Sequence, residues 1–377
     1  MAFYWLLCLF IYLFSHHISP TVQGEIEYVC VDIYKQPAFQ HPSMKNHQIQ
    51  MRPSVEFQAM LSMEPETSDM ITSSKSEERC PKGQVPIHKP QSNYTNNFIH
   101  PETTITAANL HVSIFNNDIK LQYYFNRERF GGAQAVFSIY KPRVLKNQFS
   151  KAWVWLNHRE KDMISSIQFG WAVHTGLYRD DRPRLTTFSV GNSGKHQNGC
   201  YNALCPGGYV QVHKTIYPGM VYDKVSVVGK KQHDVHLLVG QQIVYNNYAP
   251  IIQDSKTKSW LLMTRKTLIG YWPSHMYSME GASQIYFGGY TEGPTGAISP
   301  PMGAGTFPRE VNRIDNLASF MKQLKSFQDK SLVDINCHSF EEYVDSPKCY
   351  DVWYREFELG SGEMLTFGGP GGVCGMV

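Results

Sequence analysis

From about Ala107 onward the chain is a succession of short apolar runs separated by Gly, Pro and Asn clusters. Leu110-His-Val-Ser-Ile-Phe115, Ala135-Val-Phe-Ser-Ile-Tyr140, Thr186-Thr-Phe-Ser-Val190, Tyr209-Val-Gln-Val212 and Val235-His-Leu-Leu-Val239 are the clearest of them. Runs of this length, bounded by turn residues, read as strands. Many such strands in succession predict an all-β fold, an antiparallel β-sandwich or jelly roll. The aromatic share of 13%, with 22 Tyr and 20 Phe, agrees, because aromatic side chains pack well on a pleated surface. One segment runs the other way: Leu317, Phe320, Met321 and Leu324 sit at helical spacing, which predicts a helix from about Arg313 to Asp329.

Before Ala107 the character differs. Residues 2–14 form an uncharged apolar run, short of the roughly 20 residues needed to span a bilayer. His16, His17 and then Val22-Gln23-Gly24 follow, with small residues where a signal peptidase cuts. Residues 1–24 therefore read as a secretory signal peptide, although no Lys or Arg precedes the apolar run. Residues 25–87 are polar and punctuated by Pro37, Pro42, Pro53 and Pro65, and they read as a small N-terminal domain. Residues 88–106 read as an exposed linker, and 107–377 as the sandwich. A chain of 377 residues is long enough for one large and one smaller domain.

The compartment follows from the leader and the cysteines. Cys8 leaves with the signal, so Cys30, Cys80, Cys200, Cys205, Cys337, Cys349 and Cys374 remain. Sparse cysteines in an exported chain imply disulfides and one leftover thiol. Cys200 and Cys205 bracket a loop short enough for a bridge to close. Asn93-Tyr94-Thr95 is a glycosylation sequon, which fits the same extracellular setting. The absence of CxxC pairs and of HExxH argues against zinc, and no cofactor is expected. A formal net charge of +3 without a Lys/Arg block gives no reason to expect nucleic acid.

At Val31-Asp-Ile-Tyr-Lys-Gln-Pro-Ala-Phe39, His41-Pro42, Lys45-Asn-His47 and Cys80-Pro-Lys-Gly-Gln-Val-Pro-Ile87 the sequence resembles the activation-peptide region of the plant neprosin-like family. Phe169-Gly-Trp-Ala-Val173, Leu177-Tyr178, Asp180, Gly199-Cys-Tyr-Asn202 and Cys205 continue the likeness. Gly270-Tyr-Trp-Pro273, Gly288-Gly289, Met302-Gly-Ala-Gly305 and Gly368-Gly-Pro-Gly371 follow in family order, so the resemblance spans essentially the whole chain. It implies a propeptide followed by a β-sandwich, and a strand rather than a helix over 318–329. It also implies the pairs Cys30–Cys80, Cys200–Cys205 and Cys349–Cys374, leaving Cys337 free. The implied activity is that of a glutamic endopeptidase cutting after proline, exported to the apoplast or cell wall.

Such an enzyme carries two glutamates on neighbouring strands of one sheet face. One activates water as general base while the other protonates the leaving nitrogen or polarises the carbonyl. The first family position, just before Gly170-Trp171, reads Gln168 here. The second, in the strand entering Gly288-Gly289, is best matched by Tyr286, with Tyr290 nearby where an acid is also common. Alternation puts Ile167, Phe169, Trp171 and Val173 on one face and Ser166, Gln168, Gly170, Ala172 and His174 on the other. A neutral amide takes no proton from water, and a phenol with pKa near 10 is a poor base in acid.

The resemblance therefore implies a peptidase-like protein whose catalysis is impaired. The alternative is a non-catalytic groove for an extended or proline-rich polypeptide or a cell-wall polymer, with Tyr286, Tyr290, Trp171 and Tyr178 as contacts and His174 facing the groove. Two further readings stay open: Gln168 and Tyr286 as ordinary residues of a wet face, or catalysis by Asp180, Asp181, Glu280 or Glu292. His174 has no Ser or Cys motif with which to form a nucleophilic pair.

Overall fold

The computed structural model describes residues 28–62, 80–89, 105–115, 129–160, 163–191, 199–241, 258–277, 281–294, 298–310, 316–328, 331–334, 340–358 and 361–374. The signal sequence, Asn93, Cys337, Glu280 and the first residues of the expected helix lie outside them. Among the described residues no helix is long and apolar enough to cross a membrane.

The strands in chain order begin with β1 (Tyr28–Asp32), β2 (Gln84–His88), β3 (Ile105–Phe115), β4 (Gly132–Ser138), β5 (Phe149–Glu160) and β6 (Met163–His174). Next come β7 (Arg184–Val190), β8 (Cys200–Tyr201), β9 (Val210–Gln211), β10 (Asp234–Gln241), β11 (Trp260–Thr264), β12 (Thr267–Trp272) and β13 (Gln284–Pro294). The last are β14 (Met302–Gly303), β15 (Ser319–Gln328), β16 (Ser331–Asp334), β17 (Phe340–Val344), β18 (Asp351–Glu358) and β19 (Gly362–Gly369). One short helix, α1 (Val55–Ser62), belongs to the N-terminal region.

Two antiparallel sheets form the sandwich. One runs β17-β3-β13-β5-β6-β7-β8; the other runs β14-β19-β15-β4-β10-β11-β12-β9, with β16 on β15 and β18 on β19. Their facing sides bury one core, to which β6 contributes Ile167, Phe169, Trp171 and Val173, β5 Val154 and Leu156, and β13 Ile285 and Phe287. Ala135 and Phe137 of β4 and Leu237 and Val239 of β10 meet them from the other sheet. Alternation along β6 thus decides which side is dry. Gly170 lies on the far side, where a Cβ would come within 2.0 Å of the Ala152 carbonyl oxygen of β5.

The expected helix is instead strand β15. Its register against β4 shifts between Lys322 and Lys325, and Gln323 has φ +52°. This bulge puts one extra residue into the strand. Met321 and Leu324, three apart, consequently both enter the core. The helix-like spacing is the imprint of the bulge on a strand.

The N-terminal region packs on the outside of the second sheet. β1 pairs with β2, and Cys30–Cys80 ties them together. Ala38, Met44, Phe57 and Leu61 form a second core with Val210, Leu238, Leu261, Met263, Tyr271 and Phe327. Fully buried Gln36 donates to the Gln211 carbonyl at 2.9 Å and accepts from the Gln211 N–H at 2.7 Å. Phe57 stacks on Phe327 with centroids 5.7 Å apart. Cys200–Cys205 and Cys349–Cys374 close two loops of the sandwich.

Candidate functional site

The outer side of the first sheet carries the positions that the sequence singled out. Cross-strand register aligns Gln168 with Trp155, Trp155 with Tyr286, Tyr286 with Ser113 and Ser113 with Glu341. On the other flank Gln168 faces Phe188, and Phe188 faces Tyr201. Residues directly opposite one another share a face, so these positions form one row across the sheet. Gln168 and Tyr286 do not lie on adjacent strands, because β5 runs between them. At about 4.8 Å per strand their backbones are about 10 Å apart.

Trp155, Gln168 and Tyr286 are half-buried. Gln168 Nε2 donates to Ser166 Oγ at 3.2 Å, and Ser166 Oγ donates to Asn157 Oδ1 at 2.6 Å. Tyr286 donates its hydroxyl hydrogen to Gln284 Oε1 at 2.9 Å. The centre of the row is therefore an indole flanked by neutral amides and hydroxyls. Between neutral groups of this kind no proton is held in readiness for transfer.

Toward the start of β5, from Trp153 back to Phe149, the same face becomes a closed aromatic box around a cation. Lys151, only 3% exposed, donates to the Tyr201 hydroxyl at 2.5 Å. Its Nζ lies 3.9 Å from the Phe149 ring centroid and 4.2 Å from that of Trp153, close enough for cation–π attraction. Burial lowers the Lys151 pKa to about 7, with the Glu292 carboxylate partly opposing. Tyr290 donates to Glu292 Oε2 at 2.8 Å. Burial, reinforced by Glu292, drives the Tyr290 phenol far above its ordinary value.

His174 closes this end. Its Nδ1 accepts from the Leu177 N–H at 3.2 Å, which leaves the ring proton on Nε2. Its ring packs 4.7 Å from Phe149. Burial first, and then neighbouring Lys151, lowers its pKa well below normal. His174 is thus a structural capping group inside the box, not a side chain lining an open groove.

Two other expected contacts also lie elsewhere. Trp171 is fully buried between the sheets, where its Nε1 donates to the Ser138 carbonyl at 2.8 Å. It sits three residues from Gln168, and odd spacing on a strand means the opposite face. Tyr178 is buried in the turn after β6. It shares a 2.7 Å hydrogen bond with Thr186 and accepts from Asn202 Nδ2 at 3.0 Å.

Of the alternative acids, Asp180 is bound by Arg182 and by buried Arg184. Burial alone would raise its pKa, but these guanidinium contacts lower it. Asp181 pairs with Lys141 at 2.9 Å. Glu292 lies on the same face as Tyr286, six residues along β13 and about 20 Å away. Glu341 occupies the row itself, at a backbone separation of about 10 Å from Tyr286.

Trp155, Lys151, Asn157, Tyr201 and Glu341 are the members that sequence reasoning missed. Alternation along β5 already showed the first three, since positions 151, 153, 155 and 157 share one side of that strand. Glu341 carried no such signal; only the pairing of β17 with β3 brings it into the row.

Comparison with protein-family models matches residues 146–370 to a family described as Neprosin and residues 19–96 to one described as the Neprosin activation peptide. The first match takes in β5 to β19, including the row positions Gln168, Trp155, Tyr286 and Glu341.

Proposed function

Since the chain belongs to the neprosin family, we propose that it is an exported member that holds an extended polymer in the family's groove without cutting it. One observation carries this reading: the two acid positions, Gln168 and Tyr286, flank Trp155, and these three half-exposed side chains are all neutral. Hydrolysis of an amide by paired carboxylates needs one group charged and one protonated. An amide has no titratable proton, and the Tyr286 phenol is almost wholly protonated below neutral pH. Export is supported by the three disulfides, since such bonds persist in oxidising compartments.

Glu341 and Glu292 are the carboxylates against which this reading is tested. Glu292 is engaged by Tyr290 and lies in the field of Lys151. Incubating the secreted protein with a proline-containing peptide at pH 3 to 6 should leave the peptide intact by mass spectrometry. Cleavage that disappears in Glu341→Gln or Glu292→Gln would overturn the reading and relocate the acid.

A further inference from the structure

We infer that the occupant of the Trp155 row is a neutral polysaccharide of flat, equatorially substituted pyranose rings, held by stacking on the indole and by the flanking amides. The inference rests on the non-cleaving reading of the same groove and goes on to name the ligand class.

Three features of the row point to it. The first is the half-exposed indole of Trp155 at the centre of β13, β5 and β6. An aromatic face excludes water from one side of a sugar ring whose axial C–H bonds form an apolar surface. The second is the set of amides around it. Ser166 links Gln168 to Asn157 through 3.2 Å and 2.6 Å hydrogen bonds. These bonds occupy the Gln168 nitrogen and the Asn157 oxygen. The Gln168 oxygen and the Asn157 nitrogen have no partner among the described residues, which leaves one acceptor on β6 and one donor on neighbouring β5. Adjacent ring hydroxyls, each both donor and acceptor, match such a pair.

The third feature is charge. Trp155, Asn157, Ser166, Gln168, Gln284 and Tyr286 carry none. Lys151 is sealed in its aromatic box, and the backbone of Glu341 lies about 14 Å from that of Trp155 across the sheet. None of the described side chains of the row is a cation, so an acidic polysaccharide would bring carboxylates to it at a desolvation cost.

A polypeptide that docks by strand addition fits this place less well. β13, β5 and β6 are each paired on both sides, so no open strand edge is offered to a peptide backbone. A peptide laid over the row would forgo the main-chain hydrogen bonds that give strand addition its affinity. A glycan needs none of them.

Titration of the full chain with cellohexaose and with xylohexaose, followed by tryptophan fluorescence and calorimetry, tests the inference. At least one hexasaccharide should bind saturably. Trp155→Ala should weaken it at least tenfold, Gln168→Ala about fivefold, and Trp155→Phe should recover part of the loss while keeping an unchanged melting temperature. Three results would overturn the inference: no saturation by either sugar, equal binding by Trp155→Ala, or binding confined to a proline decamer or hexagalacturonate. Failure of the non-cleaving reading is a separate observation, since it would appear as peptide hydrolysis.

Discussion

The two outer faces of this sandwich solve different problems with the same alternating backbone. On the ten-stranded side, β10 to β12 are apolar on both faces: Leu237 and Val239 point into the main core while Leu238, Leu261 and Met263 point away from it. That outward layer has to be covered, and Ala38, Met44, Phe57 and Leu61 of the N-terminal segment cover it. On the seven-stranded side, the outward residues Ser166, Gln168, Gly170, Ala172 and His174 of β6 are small or polar; Gln168 is half-exposed and the others are buried. The comparison separates two roles for the activation-peptide region. Its described residues stabilise the back of the domain, whereas the row of Gln168 and Tyr286 lies on the opposite face.

The sharpest way to break this contrast is to remove one large side chain from each face. Phe57→Ala deletes a ring that is 6% exposed and should cost about 3–5 kcal/mol, in the range of buried aromatic truncations. Urea unfolding would register the loss, and proteolysis should then attack residues 28–62 first. Trp155→Ala, on the half-exposed row, should cost less than half as much. Equal costs would mean that the two faces are not packed differently.

Acid should act on the same seat, with a smaller effect. Burial, helped by His275, lowers the His47 pKa to about 4. Burial and then Arg184 bring His88 to about 3, while Asp180 opposes. His275 is itself lowered by burial and by His41. Imidazoles of a detached segment titrate near 6.5. Below that pH the detached form therefore binds protons that the docked form does not. Docking is fully favoured above about pH 6.5 and weakens as pH falls toward 4 and 3. Amide-exchange protection around residues 36–50 and 84–88 should decline between pH 7 and 4, and less so in His47→Gln. A pH-independent profile would contradict the histidine argument.

Much of this architecture was legible in the sequence. Alternation along Ile167–Val173 identified the face of Gln168, and the same rule applied to position 171 places Trp171 in the core. The continuous run Trp260-Leu-Leu-Met263 marks a strand buried on both sides, although the partner covering its second side is not visible locally. What misled was the phase shift in β15, because a bulge turns a two-residue period into a three-residue step. What stayed hidden was non-local. Glu341 enters the row only because β17 pairs with β3, and β5 separates Gln168 from Tyr286 only through sheet order.

On the reading proposed above, the face that carries Gln168 and Tyr286 lacks the paired carboxylates that amide hydrolysis needs. An endopeptidase assay at acidic pH, on the unaltered protein beside a Gln168→Glu/Tyr286→Glu variant, tests it most directly. Both would be assayed before and after removal of the N-terminal segment, with a proline-containing peptide. The account predicts silence from the unaltered protein in both forms and turnover by the double variant. Turnover by the unaltered protein would contradict it.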